Sequence, residues 1–116
     1  MKIAIPLDEN KTDICPSFGR APYMLFSEDG SESIEENPGA QEQGGAGIRA
    51  AQFIVDSGAD VLITMRCGQN AADVFKAAEI GIFKAQGASA QEALAAYARG
   101  ELSELTHFHA GYQGIR

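Results

Sequence analysis

The chain reads as one α/β domain: a mixed five-stranded sheet, its second strand antiparallel, with three helices packed on its faces. Three observations carry this. The hairpin signal Asp29-Gly30 lies between two strand-like runs. Two short apolar runs, 61–65 and 81–84, alternate with helix patterns, as parallel strands joined by crossovers do. The 116 residues, 45% of them hydrophobic, suit a single core.

Each element has a local reason. Lys2-Ile3-Ala4-Ile5-Pro6-Leu7 is a buried first strand, and 8–20 is a long loop. Tyr23-Met24-Leu25-Phe26-Ser27-Glu28 is the second strand; 31–37 returns antiparallel as a more polar third strand at the sheet edge. The stretch 38–47 is glycine-rich and opens a helix whose stripe is Ala51, Ile54 and Val55, stopped by Gly58. The fourth strand, 61–65, leads to a second helix with Asn70 as N-cap and Asp73 in its first turn. Ala71, Val74, Phe75 and Ala78 line that helix's apolar face. After the fifth strand, Ser89-Ala90-Gln91-Glu92 is a capping box, and Ala90, Ala93, Leu94 and Tyr97 form the stripe of a third helix ended by Gly100. The domain is expected to span 1–105, with 106–116 a loosely held tail.

Charge and composition exclude several classes of function. The formal net charge of −7 disfavours nucleic acid and anionic membrane surfaces, both of which need a basic face. No signal peptide is visible, and no apolar run approaches the roughly 20 residues that span a bilayer. A cytoplasmic location is expected. Cys15 and Cys67 form no Cys-x-x-Cys pair and read as free thiols in a reducing compartment.

Ligands of open α/β sheets gather at the carboxyl ends of the parallel strands. This topology sends there Asp8, the 15–20 loop, Arg66-Cys67, the Gly44-Gly45-Ala46-Gly47 loop and the starts of two helices. Thiols, arginines and helix N–H groups together suit an anionic or metallic ligand. Each piece also has a plainer reading. Cys67 could be a small core residue, Cys15 and Arg20 loop braces, the glycine loop a flexible connection, and His107 and His109 a solvated tail rather than a metal-binding pair. Gly45-Ala46-Gly47-Ile48-Arg49-Ala50 matches the dinucleotide fingerprint only formally, since Arg66-Cys67 stands where an acidic residue is required. Nucleophilic catalysis needs a base near a thiol, but both histidines lie in the tail. An enzyme is therefore the weakest expectation.

The ordered set of Lys2-Ile3-Ala4-Ile5-Pro6-Leu7-Asp8, Ser17-Phe18-Gly19-Arg20-Ala21-Pro22-Tyr23, Glu36-Asn37-Pro38-Gly39, Gly44-Gly45-Ala46-Gly47-Ile48, Gly58-Ala59-Asp60-Val61 and Gly100-Glu101-Leu102 resembles the dinitrogenase iron–molybdenum cofactor biosynthesis family. The chain is similar to its small stand-alone, orange-protein type. The resemblance implies a ribonuclease-H-like fold. It also implies non-catalytic binding, carriage or storage of an anionic metal–sulfur cluster: iron–sulfur, iron–molybdenum or molybdenum–copper. Many members carry a histidine directly before Phe-Gly-Arg, where this chain has Ser17, a poor ligand for iron or copper. The expected cluster-binding residues are Cys15, Ser17, Phe18, Gly19, Arg20, Gly44, Gly45, Gly47, Arg66 and Cys67, with Cys15, Cys67, His107 and His109 as candidate metal ligands. The alternative is a metal-independent interaction or regulatory module, docking to an ATPase or a cluster-assembly protein.

Overall fold

The structure is a computed structural model and describes residues 1–42 and 44–109. Five strands form one sheet in the order β3-β2-β1-β4-β5. They are β1 (Lys2–Leu7), β2 (Tyr23–Glu28), β3 (Ser31–Glu36), β4 (Val61–Thr64) and β5 (Gly81–Lys84). Three helices join them: α1 (Ala46–Asp56), α2 (Gln69–Ala77) and α3 (Ala90–Ala98), with a short 3-10 helix at Pro38–Gln41. The mixed sheet and three helices agree with the sequence reading: β1–β2 and β2–β3 are antiparallel, β1–β4 and β4–β5 parallel.

The β2–β3 hairpin turns through Asp29 and Gly30, both left-handed at φ 52° and 86°, the pairing a type I′ turn requires. Alternation along the strands divides the core into two layers. Ala4, Met24, Phe26 and Leu62 face α1 and α2, where Ala50, Ala51, Ile54, Ala71, Ala72 and Phe75 meet them. Ile5, Leu7, Leu25 and Ile63 face Ala90, Ala93 and Ala96 of α3. The small residues on each helix let it sit close to the sheet. The capping box of α3 is formed, Ser89 Oγ accepting from Glu92 N while Glu92 accepts from Ser89 N.

Four local expectations are corrected. Asn37 is not part of the edge strand: it is buried and caps the 3-10 helix, because its amide satisfies three backbone groups at once. The fourth strand closes at Thr64, whose buried hydroxyl donates to Arg66 O and turns the chain out of the sheet. Asn70 lies inside α2, and the N-cap is Gly68; the carbonyl of His109 accepts from Gln69 N, filling a role a capping side chain would otherwise take. Ala78 is exposed at the C-cap, and Ala72 takes its place on the buried face.

The segment after α3 packs against the domain over residues 103–109, the last four of which belong to the tail expected at 106–116. Residues 103–105 run antiparallel to the outer edge of β5, with Lys84 N donating to Ser103 O and Leu105 N to Ile82 O. Leu105 and Phe108 pack against the α1–α2 layer, and His109 bridges Gly68. Residues 110–116 of the expected tail lie outside the described residues.

Pro6 shapes the carboxyl end of the sheet. It has no N–H to donate, and the β1–β4 ladder pairs only Ile3 and Ala4. Beyond that point the 8–20 loop folds back along β1, Ile14 bridging Leu7 and Cys15 N donating to Pro6 O at 3.0 Å.

Asn37 ties this loop to the elements that follow. Its Oδ1 accepts from Gly39 N at 3.0 Å, and its Nδ2 donates to Gly19 O at 3.2 Å and Ala21 O at 2.9 Å. Replacing it by alanine strands three backbone groups, and Asn37→Ala should cost about 2 kcal/mol. Asn37→Asp keeps the acceptor, loses both donors and should recover none of that stability. Urea unfolding followed by far-UV circular dichroism checks both; a wild-type midpoint in either variant would remove Asn37 from this role.

Candidate functional site

At the carboxyl edge of the sheet lies a cavity of about 390 Å³. Its walls are the 16–20 loop, the 44–48 segment entering α1, the 66–71 segment entering α2, and His109.

The first wall is fixed by packing. Phe18 is 4% exposed, and its ring meets Phe75 of α2 edge-on at 5.6 Å, anchoring the loop in the core. Gly19 then presses against the start of α1, where a Cβ on Gly19 would stand 2.8 Å from Gly47 N. A side chain at this position has no room, so the glycine between Phe18 and Arg20 is a requirement of backbone approach. Arg20 follows at the surface, its guanidinium donating to the carbonyl of Glu42 and bracing the glycine loop.

The second wall is the N-terminus of α1. Its N-cap is Gly45, left-handed at φ 71°, and no side chain caps it. Gly44 and Gly45 have open space around their Cα atoms. The third wall is the N-terminus of α2, likewise without a side-chain cap. Two helix starts thus bring backbone N–H groups and positive partial charge to one cavity, with Gln69 N at the start of α2 already bonded to the His109 carbonyl. Arg66, exposed on the rim, adds a full charge. The floor is apolar, with Ala46, Ala71, Phe18 and the half-exposed Ile48.

The two thiols behave differently from a pair of ready ligands. Cys67 lines the cavity but is only 1% exposed, and Sγ donates to Gly68 O at 3.5 Å. Burial pushes its pKa up to about 12, overriding any lowering by the adjacent helix N-terminus. Cys15 is buried behind the cavity wall and is not among the lining residues. Burial raises its pKa too; a backbone hydrogen bond at Ser17 opposes the rise and the nearby Asp8 carboxylate adds to it.

The cavity therefore gathers Ser17, Phe18, Gly19, Arg20, Gly44, Gly45, Gly47, Arg66, Cys67 and His109 from the sequence-expected set. It does not gather Cys15, or His107, which is exposed further up the C-terminal segment. Cys15 is drawn away because the loop backbone pairs with β1 at that residue, which sets its side chain beneath the loop. The expected site set lacked Pro16, Ala46, Ile48, Gly68, Asn70 and Ala71. Ile48 continues the helix's i−3 and i−7 spacing to Ala51 and Val55 and so reads as core, but it is 47% exposed; its one usable signal is its place directly after the glycine loop. Among the described residues no group of three or more His, Cys, Asp or Glu could hold a metal ion by itself. The donors present suit an anion that brings its own internal ligands.

Comparison with known proteins follows the same outline. Residues 1–100 match the family described as dinitrogenase iron–molybdenum cofactor. An uncharacterised protein of Methanocaldococcus jannaschii is 31% identical over 110 residues, covering 90% of this chain and 92% of that one. The apo form of the orange protein from Desulfovibrio gigas superposes with a TM-score of 0.83 at 26% identity, covering 90% of this chain and 92% of that one. A Thermotoga protein solved by NMR, described as a NifB candidate of the DUF35 family, gives 0.77 at 30% identity, with 95% and 97% covered.

The state of Cys67 has a measurable consequence. A thiol whose folded pKa stands near 12 against an ordinary 9.0 favours the folded chain below pH 9, and that contribution is lost as pH rises from 9 towards 12. Iodoacetamide at pH 8 should leave Cys67 unmodified in the native protein and label it on unfolding, as read by peptide mass spectrometry. Rapid native labelling of Cys67 at pH 8 would show an accessible thiolate instead.

Proposed function

Because the chain belongs to the dinitrogenase iron–molybdenum cofactor family, we propose that it binds and carries a preformed, anionic metal–sulfur cluster in this cavity, without catalysing a reaction on it. The observation that carries the reading is the meeting of two helix N-termini lacking side-chain caps with Arg20 and Arg66 around one apolar-floored cavity. The likeness to the orange protein and to the NifB-type protein supports the same ligand class. The ribonuclease-H-like label, the single-domain extent and a cytoplasmic site of action belong to this proposal. No helix among the described residues is long and apolar enough to cross a membrane.

The residues fit such a cargo in kind. A sulfide-rich cluster presents acceptor sulfurs on its surface, and helix N–H groups with guanidinium edges are the matching donors. Net charge is no obstacle. Charges further away than about 8 Å are screened at physiological salt, whereas groups lining the cavity act at contact distance. Apolar contacts with Phe18, Ile48, Ala46 and Ala71 would exclude water from the inner face of the cluster. The cluster is cargo, and these residues hold and orient it. Neither buried thiol is offered to it as a thiolate.

Anaerobic titration with tetrathiomolybdate, or with iron and sulfide, tests the reading through a visible charge-transfer band on the protein. The wild type should bind. Arg66→Ala should weaken binding about 10- to 100-fold, the equivalent of losing a charge-assisted hydrogen bond worth about 1.5–3 kcal/mol. Added salt should narrow the gap between them. Cys15→Ala should bind as the wild type does, since Cys15 lies outside the cavity. A wild-type protein that takes up neither cluster type, or an Arg66→Ala variant of undiminished affinity, would sink the proposal.

A further inference from the structure

Most polar side chains lining the cavity can donate hydrogen bonds, but few can give a lone pair to a metal. Arg20 and Arg66 are guanidiniums, which keep their protons and act only as donors. The Cys67 sulfur lies beneath the floor with 1% exposure. Ser17 and Asn70 offer oxygen donors, which suit hard cations better than the metals found with sulfide. His109 is the remaining case. Its residue is exposed, it stands on the cavity wall, and imidazole is a good ligand for iron and copper.

His109 is also held in place. Its N–H donates to Cys67 O at 3.3 Å and its carbonyl accepts from Gln69 N at 2.9 Å, so the backbone is fastened on both sides of Gly68. The imidazole rests against Gly68, where an added Cβ would stand 3.2 Å from Cε1. Gly68 therefore leaves the space the ring occupies. Upstream, Phe108 packs on the core with Lys76 Nζ 4.8 Å from its ring centroid. The 101–109 segment is thus a strap, bonded along β5 and ending with an imidazole at the cavity.

We infer that His109 is a metal-contacting residue of this site: its ring nitrogen meets an exposed metal atom of the cluster while Arg66 and the helix N–H groups meet the sulfides. The inference rests on the cluster-carrying reading above and names a donor that reading leaves open. A cluster already coordinated by its own sulfides needs only one further ligand from the protein, which is what this cavity can supply. Since that ligand sits on the strap, occupancy and strap docking stabilise each other.

The experiment loads the wild type, His109→Ala, His109→Gln and His107→Ala with tetrathiomolybdate alone, and then with one equivalent of copper(I), anaerobically. Tetrathiomolybdate alone, whose metal is enclosed by sulfur, should bind the wild type and His107→Ala within about twofold, and its affinity for each His109 variant is the reference against which that variant's copper affinity is read. With copper added, the wild type and His107→Ala should show a nitrogen shell with imidazole scattering in the copper X-ray absorption fine structure. His109→Ala and His109→Gln should lack it and hold copper at least about tenfold less tightly, a loss that even an outer partner of a metal ligand can bring. Hydrogen exchange at residues 103–108 should slow on copper loading in the wild type alone among the wild type and the two His109 variants. A wild type that binds tetrathiomolybdate and copper with no imidazole shell, or a His109→Ala variant that keeps the shell and the affinity, overturns the assignment of His109 while leaving the anion-binding cavity standing. A wild type that takes up neither probe overturns the cluster-carrying reading and this inference together.

Discussion

The close approach of one backbone to another, Gly19 against Gly47, is the contact on which the rest of the site depends. It brings a loop that leaves the first strand to the start of a helix that follows the third, elements far apart in sequence. Gly39 takes part in the same contact, since a Cβ there would stand 2.6 Å from Ala46 O and 3.0 Å from Gly19 O. Asn37 then locks the arrangement, its amide bonding three backbone groups that the approach would otherwise leave buried and unsatisfied. With the loop seated, Arg20 reaches the Glu42 carbonyl and braces the glycine loop. The cavity is what remains between backbone segments brought this close.

Much of this was legible in the sequence. The turn at Asp29-Gly30, the capping box at Ser89 and Glu92, and the short apolar runs of β4 and β5 are local signals with local causes, and topology then dictated which residues share the carboxyl edge. What was not legible depended on contacts between distant segments. Asn37 reads as the end of a polar strand until Gly19 and Ala21 are beside it. Asn70 reads as a cap until the His109 carbonyl supplies the acceptor. Cys15 reads equally as a ligand and as a loop brace until the loop is seen to fold back along β1 and bury it. The 44–47 glycine loop reads as a flexible connection, and nothing local tells that Gly19 and Gly39 are there for close packing. The C-terminal segment has no periodicity to announce that it docks, because its hold is a few backbone bonds at the β5 edge and two side chains on the core.

The distribution of charge follows from the same geometry. Carboxylates crowd the exposed hairpin, with Glu32, Glu35 and Glu36 on an edge strand whose six residues are all exposed. Such charges also discourage pairing of that edge with another chain. The arginines at 20, 49 and 66 lie at the carboxyl end of the parallel strands or next to it, close to the helix starts, whereas Glu35 and Glu36, level with Pro6 and Leu7 through Met24 and Tyr23, stand out on the far edge of the sheet. A molecule acidic overall can therefore present a positive face where backbone dipoles already point, and there the nearest charges decide the local field.

The handling of the two cysteines bears on what kind of holding this is. A thiolate bonded to a cluster forms a strong, slowly broken link, suited to a resident cofactor. Here Cys67 is 1% exposed with its Sγ donating to Gly68 O, and Cys15 is buried outside the cavity lining, so neither sulfur stands open at the cavity surface. What remains is a set of reversible interactions: guanidinium charge, helix N–H groups, an apolar floor and one histidine on a strap fastened by two backbone hydrogen bonds beside the cavity. Each can be broken without chemistry on sulfur. On the carrier reading proposed above, a cavity built from such groups takes up an anionic cluster and gives it up again without breaking a bond to sulfur of the protein.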